Sequence, residues 1–317
     1  MLSFGKKLDK KSMPVIGAIA IAFAAALWGV DGVLLRPTLY HLDVAVVVFL
    51  EHAIAFCYMA FLLVIERDEL RKLKPRDWGS FAWVGLFGGA IGTMAITSAL
   101  FFVDFIQLSA VIILQKMQPV FAIALAALVL REKPKRNFFL WAAVALMGSY
   151  FVTFGFEQPV FSAENKMLVA AALSLLAAFA FGSSTTFSKR AIQKVNFRVG
   201  TYLRFGITTL IMFLIVVSTG RIQNFAAVAP ANYLTLLLIA FSTGGVAIFI
   251  YYYGLKRVTA SKSTIYELTF PATAIVLEFI IRGKTLSIGQ WLGTAILLLA
   301  IYKIVSAKVE SQPTQFE

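Results

Sequence analysis

Apolar stretches of about 20 residues recur ten times along this chain, and the second five restate the first five. Gln115 stands four residues before Pro119 inside one such run, and Glu267 stands four residues before Pro271 inside another. The offset of 152 residues persists beyond both prolines, so Phe138-Phe139-Leu140 falls on Gln290-Trp291-Leu292. Upstream, at an offset of 153, Trp28-Gly29 falls on Phe181-Gly182 and Glu51 falls on Arg204. A unit of five crossings is odd, so two in tandem enter the membrane from opposite sides. Inverted repeats of this kind build secondary transporters, with the substrate site near mid-membrane between the halves.

The pattern predicts an all-α integral membrane fold of ten transmembrane helices, two inverted five-helix repeats around a central cavity. The spans fall near residues 14–35, 44–65, 78–101, 109–130, 137–154, 167–188, 199–219, 233–254, 260–281 and 287–306. This gives a first repeat over 1–157, an external connector over 158–166, a second repeat over 167–308 and a cytoplasmic tail over 309–317. Composition agrees. Hydrophobic residues make up 60% of the chain and charged residues only 14%, against roughly 25% charged in a soluble domain. The first span is longer than a signal-peptide core and lacks a clear cleavage site, which predicts retention. With one cysteine, Cys57, and two histidines, His41 and His52, the chain offers no disulfide framework and no metal motif; no cofactor is expected.

A net charge of +13 raises nucleic acid as a partner, but its placement argues against one. Lys and Arg cluster on alternate segments: Lys6, Lys7, Lys10 and Lys11 at the N-terminus, then the groups around Arg71, Lys133, Lys189 and Lys256, and finally Lys303 and Lys308. The other segments carry only Arg36, Lys166, Arg221, Arg282 and Lys284. Basic residues favour cytoplasmic loops, so both termini are predicted inside a multi-pass protein of the cytoplasmic membrane. The basic surplus is an orientation signal, and the partners expected are the lipid bilayer and a small-molecule substrate.

Trp28-Gly29, the run Gln115-Lys116-Met117-Gln118-Pro119-Val120-Phe121, Glu267-Leu268-Thr269-Phe270-Pro271 and Gly293 stand in order along the two halves. Together they resemble the EamA branch of the drug/metabolite transporter superfamily. The resemblance implies ten helices in an inverted repeat around a cavity, and transport of amino acids or other small metabolites. The chain departs from the family pattern at Lys284, where a Glu is usual, and at Glu51, where Arg is frequent.

Charges within spans need a partner, water or a role. Asp31 lies three residues after Trp28, so both share one helical stripe. An aromatic face beside a carboxylate suits an amine, and hydration near the span end is the alternative. Glu51 and Arg204 are repeat counterparts, which suggests an ion pair between the halves. Gln115, Gln118 and Ala122 share a face of the fourth span, with Lys116 turned off it toward a carboxylate partner or an anionic group. Glu267, Pro271, Ala274 and Glu278 form one stripe of the ninth. Pro119 and Pro271 cannot donate to the carbonyls of Gln115 and Glu267, which would leave both acceptors free. Gly85, Gly88, Gly89 and Gly92 suit close packing of the third span. The tyrosines at 251–253 read as an interfacial belt, with Tyr252 as a lining candidate.

The expected cavity wall is Trp28, Asp31, Glu51, Gln115, Gln118, Ser183, Tyr252 and Glu267, with Lys116, Arg204 and Glu278 in structural or gating ion pairs. An excess of acids in the wall leans toward an amino acid or another amine, moved by alternating access and not by an enzymatic step. Protons are a further partner if Glu51 or Glu267 exchanges one in each cycle. The rival readings are a membrane-embedded enzyme and a channel-like facilitator.

Overall fold

The computed structural model describes residues 12–102, 114–158, 165–282 and 287–306. Fifteen α-helices fill them, with no strand among the described residues. They are α1 (Met13–Val30), α2 (Val44–Tyr58), α3 (Phe61–Ile65), α4 (Arg67–Arg71), α5 (Pro75–Trp83), α6 (Gly92–Phe102), α7 (Gln118–Val129) and α8 (Arg136–Phe154). The second half adds α9 (Asn165–Ile192), α10 (Phe197–Ser218), α11 (Pro230–Phe241), α12 (Gly245–Leu255), α13 (Ala260–Tyr266), α14 (Thr269–Arg282) and α15 (Ile288–Ser306). Helix occupies part of each of the ten predicted segments. Among the described residues six stretches are long and apolar enough to cross a bilayer: Met13–Leu39, Asp77–Ala99, Leu168–Lys194, Phe197–Ser218, Pro230–Leu255 and Ala260–Ile281. Val44–Tyr58, Gln118–Val129 and Ile288–Ile304 are apolar but shorter. The termini and most of the connector lie outside the described residues.

Local sequence sets the helix starts. Proline stands in the first turn of α1, α5, α7 and α11, where its missing N–H has no intrahelical partner to lose. Asp43 caps α2, one carboxylate oxygen accepting from the amides of Ala45 at 3.0 Å and Val46 at 3.2 Å. Its other oxygen accepts from Arg221 Nη1 at 2.8 Å. Asn196 caps α10 and Thr259 caps α13 in the same way.

The helices pack as the internal repeat requires. Three contacts pair counterpart spans: α2 with α10, α7 with α13 (α7 itself aligns with α14), and α8 with α15. The others exchange halves. The third span packs on α9 and α10, and its counterpart, α11–α12, packs on α2 and α1. Likewise α7 packs on α9, while α13 and α14 pack on α1. A two-fold exchange of the halves reproduces this contact pattern, so the two repeats share one core. The glycines of the third span fit close packing: a Cβ at Gly88 would fall 2.0 Å from Ser184 Oγ, and one at Gly89 would fall 2.0 Å from Thr208 Oγ1. Leu128, Leu210, Ile280 and Ile288 remain exposed on the outside, as an apolar solvent allows.

Among the described residues several spans are interrupted, and three of the breaks bear on polar side chains. Between Gln115 and Gln118 the chain makes a turn at Lys116-Met117, and between α13 and α14 it turns at Glu267-Leu268. These interruptions match within a residue at the 152 offset, and each precedes its proline, Pro119 or Pro271. The third lies at Ser242–Gly244, between α11 and α12.

Candidate substrate site

The two proline-linked interruptions face each other across the contact of α7 with α13. Between them lies a cavity of about 40 Å³ lined by Gln115, Lys116, Gln118 and Pro119 from one half and Thr264, Glu267, Leu268, Phe270 and Pro271 from the other. At the 152 offset Gln115 matches Glu267, Lys116 matches Leu268, Gln118 matches Phe270 and Pro119 matches Pro271. The cavity therefore sits on the relationship that exchanges the halves. Metabolite pockets span roughly 300–1,000 Å³, so the space between the interruptions is too small for a metabolite in the conformation described.

Glu267 organises the site. Its Oε2 accepts from Gln118 Nε2 at 2.7 Å, which joins the two interruptions by a side-chain bond. Its Oε1 accepts from Tyr251 O–H at 2.7 Å and from Ser263 O–H at 3.2 Å. Thr185 Oγ1 lies 3.2 Å from the Tyr251 hydroxyl, and the Trp28 and Tyr251 rings lie 5.5 Å apart. Trp28 and Gln118 are thus joined to Glu267, directly or through Tyr251. Lys116 has no carboxylate within ion-pair distance among the described residues; its ammonium lies 5.7 Å from the Phe270 ring centre. The Glu267 carbonyl is not free as expected from Pro271. It accepts from the Phe270 amide at 3.0 Å, because the chain closes a tight turn where the helix stops.

Asp31 and Glu51 form a second cluster. Arg36 Nε donates to Asp31 Oδ2 at 2.7 Å, and Arg36 Nη2 lies 3.2 Å from both Glu51 oxygens. Glu51 therefore pairs with Arg36 and not with Arg204, its repeat counterpart. The reason is a π-helical turn over Asp31–Leu35, closed by the Arg36 amide on the Asp31 carbonyl. That turn brings residues five apart onto one face and carries Arg36 into the helix packing. Arg204 instead donates to the Gly88 carbonyl at 3.4 Å and lies 5.8 Å from the Tyr252 ring centre.

Other expected residues take structural places. Ser183 is fully buried, donating to the Ala180 carbonyl at 2.9 Å and accepting from Trp83 Nε1 at 3.0 Å. Tyr251 and Tyr252 are buried, so an interfacial belt is excluded for both. Tyr252 shares a 2.7 Å hydrogen bond with Ser188, while Tyr253 carries Arg257 over its ring at 3.4 Å. The side chain of Glu278 lies outside the described residues. Sequence reasoning missed Tyr251, Ser263, Thr264 and Arg36 as site neighbours. Ser263 carried a usable signal, standing one helical turn before Glu267.

An all-helical fold with interrupted helices meeting at a polar centre, built from two interlocked repeats, defines a membrane transporter. The profile of the EamA-like transporter family matches residues 15–154 and again 168–306, and the chain belongs to that family. The riboflavin transporter ImpX of Fusobacterium nucleatum is 42% identical over 289 residues, covering 91% of this chain and 97% of that protein. The uncharacterised transporter YwfM of Bacillus subtilis is 26% identical over 313 residues, covering 94% of this chain and 96% of that one. A crystal structure at 14% identity superposes with a TM-score of 0.69, covering 93% of this chain and 96% of that chain; this likeness shows the fold alone.

Proposed function

We propose that the protein carries riboflavin, or a closely similar uncharged aromatic heterocycle, across the cytoplasmic membrane by alternating access. The observation that carries this reading is the engagement of the cavity's carboxylate. Both Glu267 oxygens are occupied by neutral donors, Gln118, Tyr251 and Ser263, and the rest of the wall offers amides, a threonine, aromatic and apolar surface and the Lys116 ammonium. Asp31 and Glu51 face Arg36 instead. An amine thus meets no unengaged counter-charge in the cavity, and the amino-acid expectation loses its basis.

A flavin suits the same wall. Its flat ring system stacks on the face of Phe270, the aromatic side chain in the cavity wall. Its imide edge alternates acceptors with a donor N–H, which the amides of Gln115 and Gln118 and the Lys116 ammonium complement. The 42% identity to a riboflavin transporter over nearly the whole chain supports the same substrate class. The test is counterflow of labelled riboflavin in proteoliposomes. Saturable exchange with unlabelled riboflavin, and no exchange with amino acids, supports the reading. Amino-acid exchange without flavin exchange overturns it.

A further inference from the structure

We infer that Glu132 is a positioning residue of the candidate site, the clasp that shuts the route between the cavity and the face carrying Arg131 and Lys133, and that the chain rests with that face shut. The clasp rests on alternating access from the reading above and not on which substrate is carried.

The geometry begins at a pair of half-helices, one from each repeat. α7 runs away from the cavity, from Gln118 to Val129, and α13 runs toward it, from Ala260 to Tyr266. The two pack together. At the cavity end Gln118 donates to Glu267 at 2.7 Å. At the far end Glu132 reaches the start of α13. Its Oε1 accepts from the Ala260 amide at 2.8 Å, and its Oε2 accepts from the Ser261 amide at 3.0 Å and the Ser261 hydroxyl at 2.6 Å. The same antiparallel pair is therefore tied at both ends. Amides of a first helical turn have no partner within their own helix, so Glu132 supplies what α13 lacks. The far end is dry: Glu132 is 6% exposed, and Ser261, Ser263 and Thr264 are buried. A buried carboxylate is costly unless it is hydrogen-bonded, and these bonds all cross to the opposite half.

The chain bends to make them. Arg131 takes φ 56°, a left-handed conformation that side chains rarely adopt, and the Glu132 amide bonds back to the Ala126 carbonyl at 3.2 Å. That turn ends α7 and brings the next side chain, Glu132, onto α13. Ala260 and Glu267 stand only about 10 Å apart along the helix axis. By holding the start of α13, Glu132 fixes where Thr264 and Glu267 stand in the cavity wall.

The repeat makes the two access states unequal. In an inverted repeat, exchanging the conformations of the halves gives the opposite access state. At the 152 offset the counterpart of Glu132 is Lys284, and a lysine has no acceptor for an amide N–H. The counterparts of Gln118 and Glu267 are Phe270 and Gln115, and a phenylalanine side chain has no polar atom to donate. The exchange cannot remake either bond. Closure at the face of Arg131 and Lys133 thus has two supports that the exchanged arrangement lacks, and the resting equilibrium favours it.

The test is side-specific labelling of a cysteine in the cavity wall, with no substrate added. Thr264→Cys is made in a Cys57→Ser background of the full chain. A membrane-impermeant maleimide is added to right-side-out and inside-out vesicles, and Lys133→Cys marks the preparation that exposes the basic face. The Thr264→Cys reporter should react faster from the opposite face. Adding Glu132→Gln should raise its rate from the basic face by at least about tenfold, the scale of a hydrogen bond to a charged group, and should not raise it from the other. Glu132→Asp, which keeps the charge, should restore part of the protection. Ser261→Ala removes one bond of the three and should raise the basic-face rate about threefold; it decides the case if Glu132→Gln does not fold. A basic-face rate unchanged in these variants overturns the clasp. So does an equal rise from both faces, which is what general loosening gives. A reporter that reacts no faster from the opposite face overturns the resting preference. Because no substrate is present, failure here leaves the flavin reading standing, and failure of riboflavin counterflow leaves the clasp standing.

Discussion

Gly29 and Gly182 make the same contact in opposite halves. A Cβ on Gly29 would fall 3.0 Å from the Phe270 carbonyl oxygen and 3.1 Å from the Ala274 amide; one on Gly182 would fall 2.7 Å from the Gln118 carbonyl oxygen and 3.0 Å from the Ala122 amide. Phe270 and Gln118 are counterparts at the 152 offset, and so are Ala274 and Ala122. Each half therefore presses a glycine of its first span against the other half's interrupted helix, just beyond the break. This brings the two interruptions together and creates the cavity between them. Backbone contact of this closeness needs glycine, because any side chain meets backbone atoms that cannot turn away.

Gly29→Val and Gly182→Val should each disrupt this contact. Overpacking typically costs about 1–3 kcal/mol, and here the obstructing atoms are backbone. Size-exclusion profiles of tagged protein should show loss of the monodisperse peak for either variant, and more severe loss at Gly182, where the approach is shorter. Wild-type profiles for both would show that the halves can separate at this point.

Glu267→Gln should reduce transport by at least about tenfold, equivalent to about 1.4 kcal/mol, with the fold intact. The carboxylate accepts from three donors. An amide keeps the shape but removes the charge and turns one acceptor into a donor, so Gln118 must flip its amide or Tyr251 must turn its hydroxyl to accept from it. Tyr251→Phe removes one donor and leaves Gln118 and Ser263, so its loss should be smaller. Uptake into proteoliposomes, normalised to reconstituted protein, ranks the two. Equal losses, or no loss at Glu267→Gln, would place the operative contact elsewhere in the cavity.

The helical segments are legible because each apolar run is long and the repeat confirms its neighbours. The site is legible where polar residues interrupt those runs: Gln118 and Glu267 stand out because nothing but a partner or a ligand explains them in an apolar helix. Arg36 is not legible. Five residues after Asp31, it belongs on another face of a regular α-helix, and only the π-helical turn brings it back. The expected pairing of Glu51 with Arg204 fails for the same reason, since Arg36 reaches Glu51 first. Tyr251 is hidden by its neighbours, because three successive tyrosines near a span end match an interfacial belt equally well. Ser183 misleads in the opposite direction: a small polar residue in a span serves helix packing as readily as a cavity, and here Trp83 claims it.

The orientation read from the basic residues is open to a direct check. Cys57, the single cysteine, is exposed, so the experiment uses a Cys57→Ser background. Gln158 and Lys133 are both exposed and lie at the ends of α8. Gln158→Cys should react with a membrane-impermeant maleimide in intact cells, and Lys133→Cys only after permeabilisation. The reverse pattern would invert the protein in the membrane.

Arg36 should be worth more than either carboxylate it holds. Removing one partner of a buried ion pair leaves an uncompensated charge and costs about 3–5 kcal/mol. Arg36→Gln strands two such charges, Asp31 and Glu51, against the break in the eighth span. The single substitution should therefore lower Tm strongly. Glu51→Gln leaves the Arg36–Asp31 pair at 2.7 Å and should cost less. Combining Arg36→Gln with Glu51→Gln removes one of the stranded charges, so the double variant should be more stable than Arg36→Gln alone, although it lacks more native groups. That inversion distinguishes a charge cluster from simple packing, which would make the two losses add. If the double variant is less stable than Arg36→Gln by the full cost of Glu51→Gln, the two groups act independently and the cluster is not an electrostatic unit.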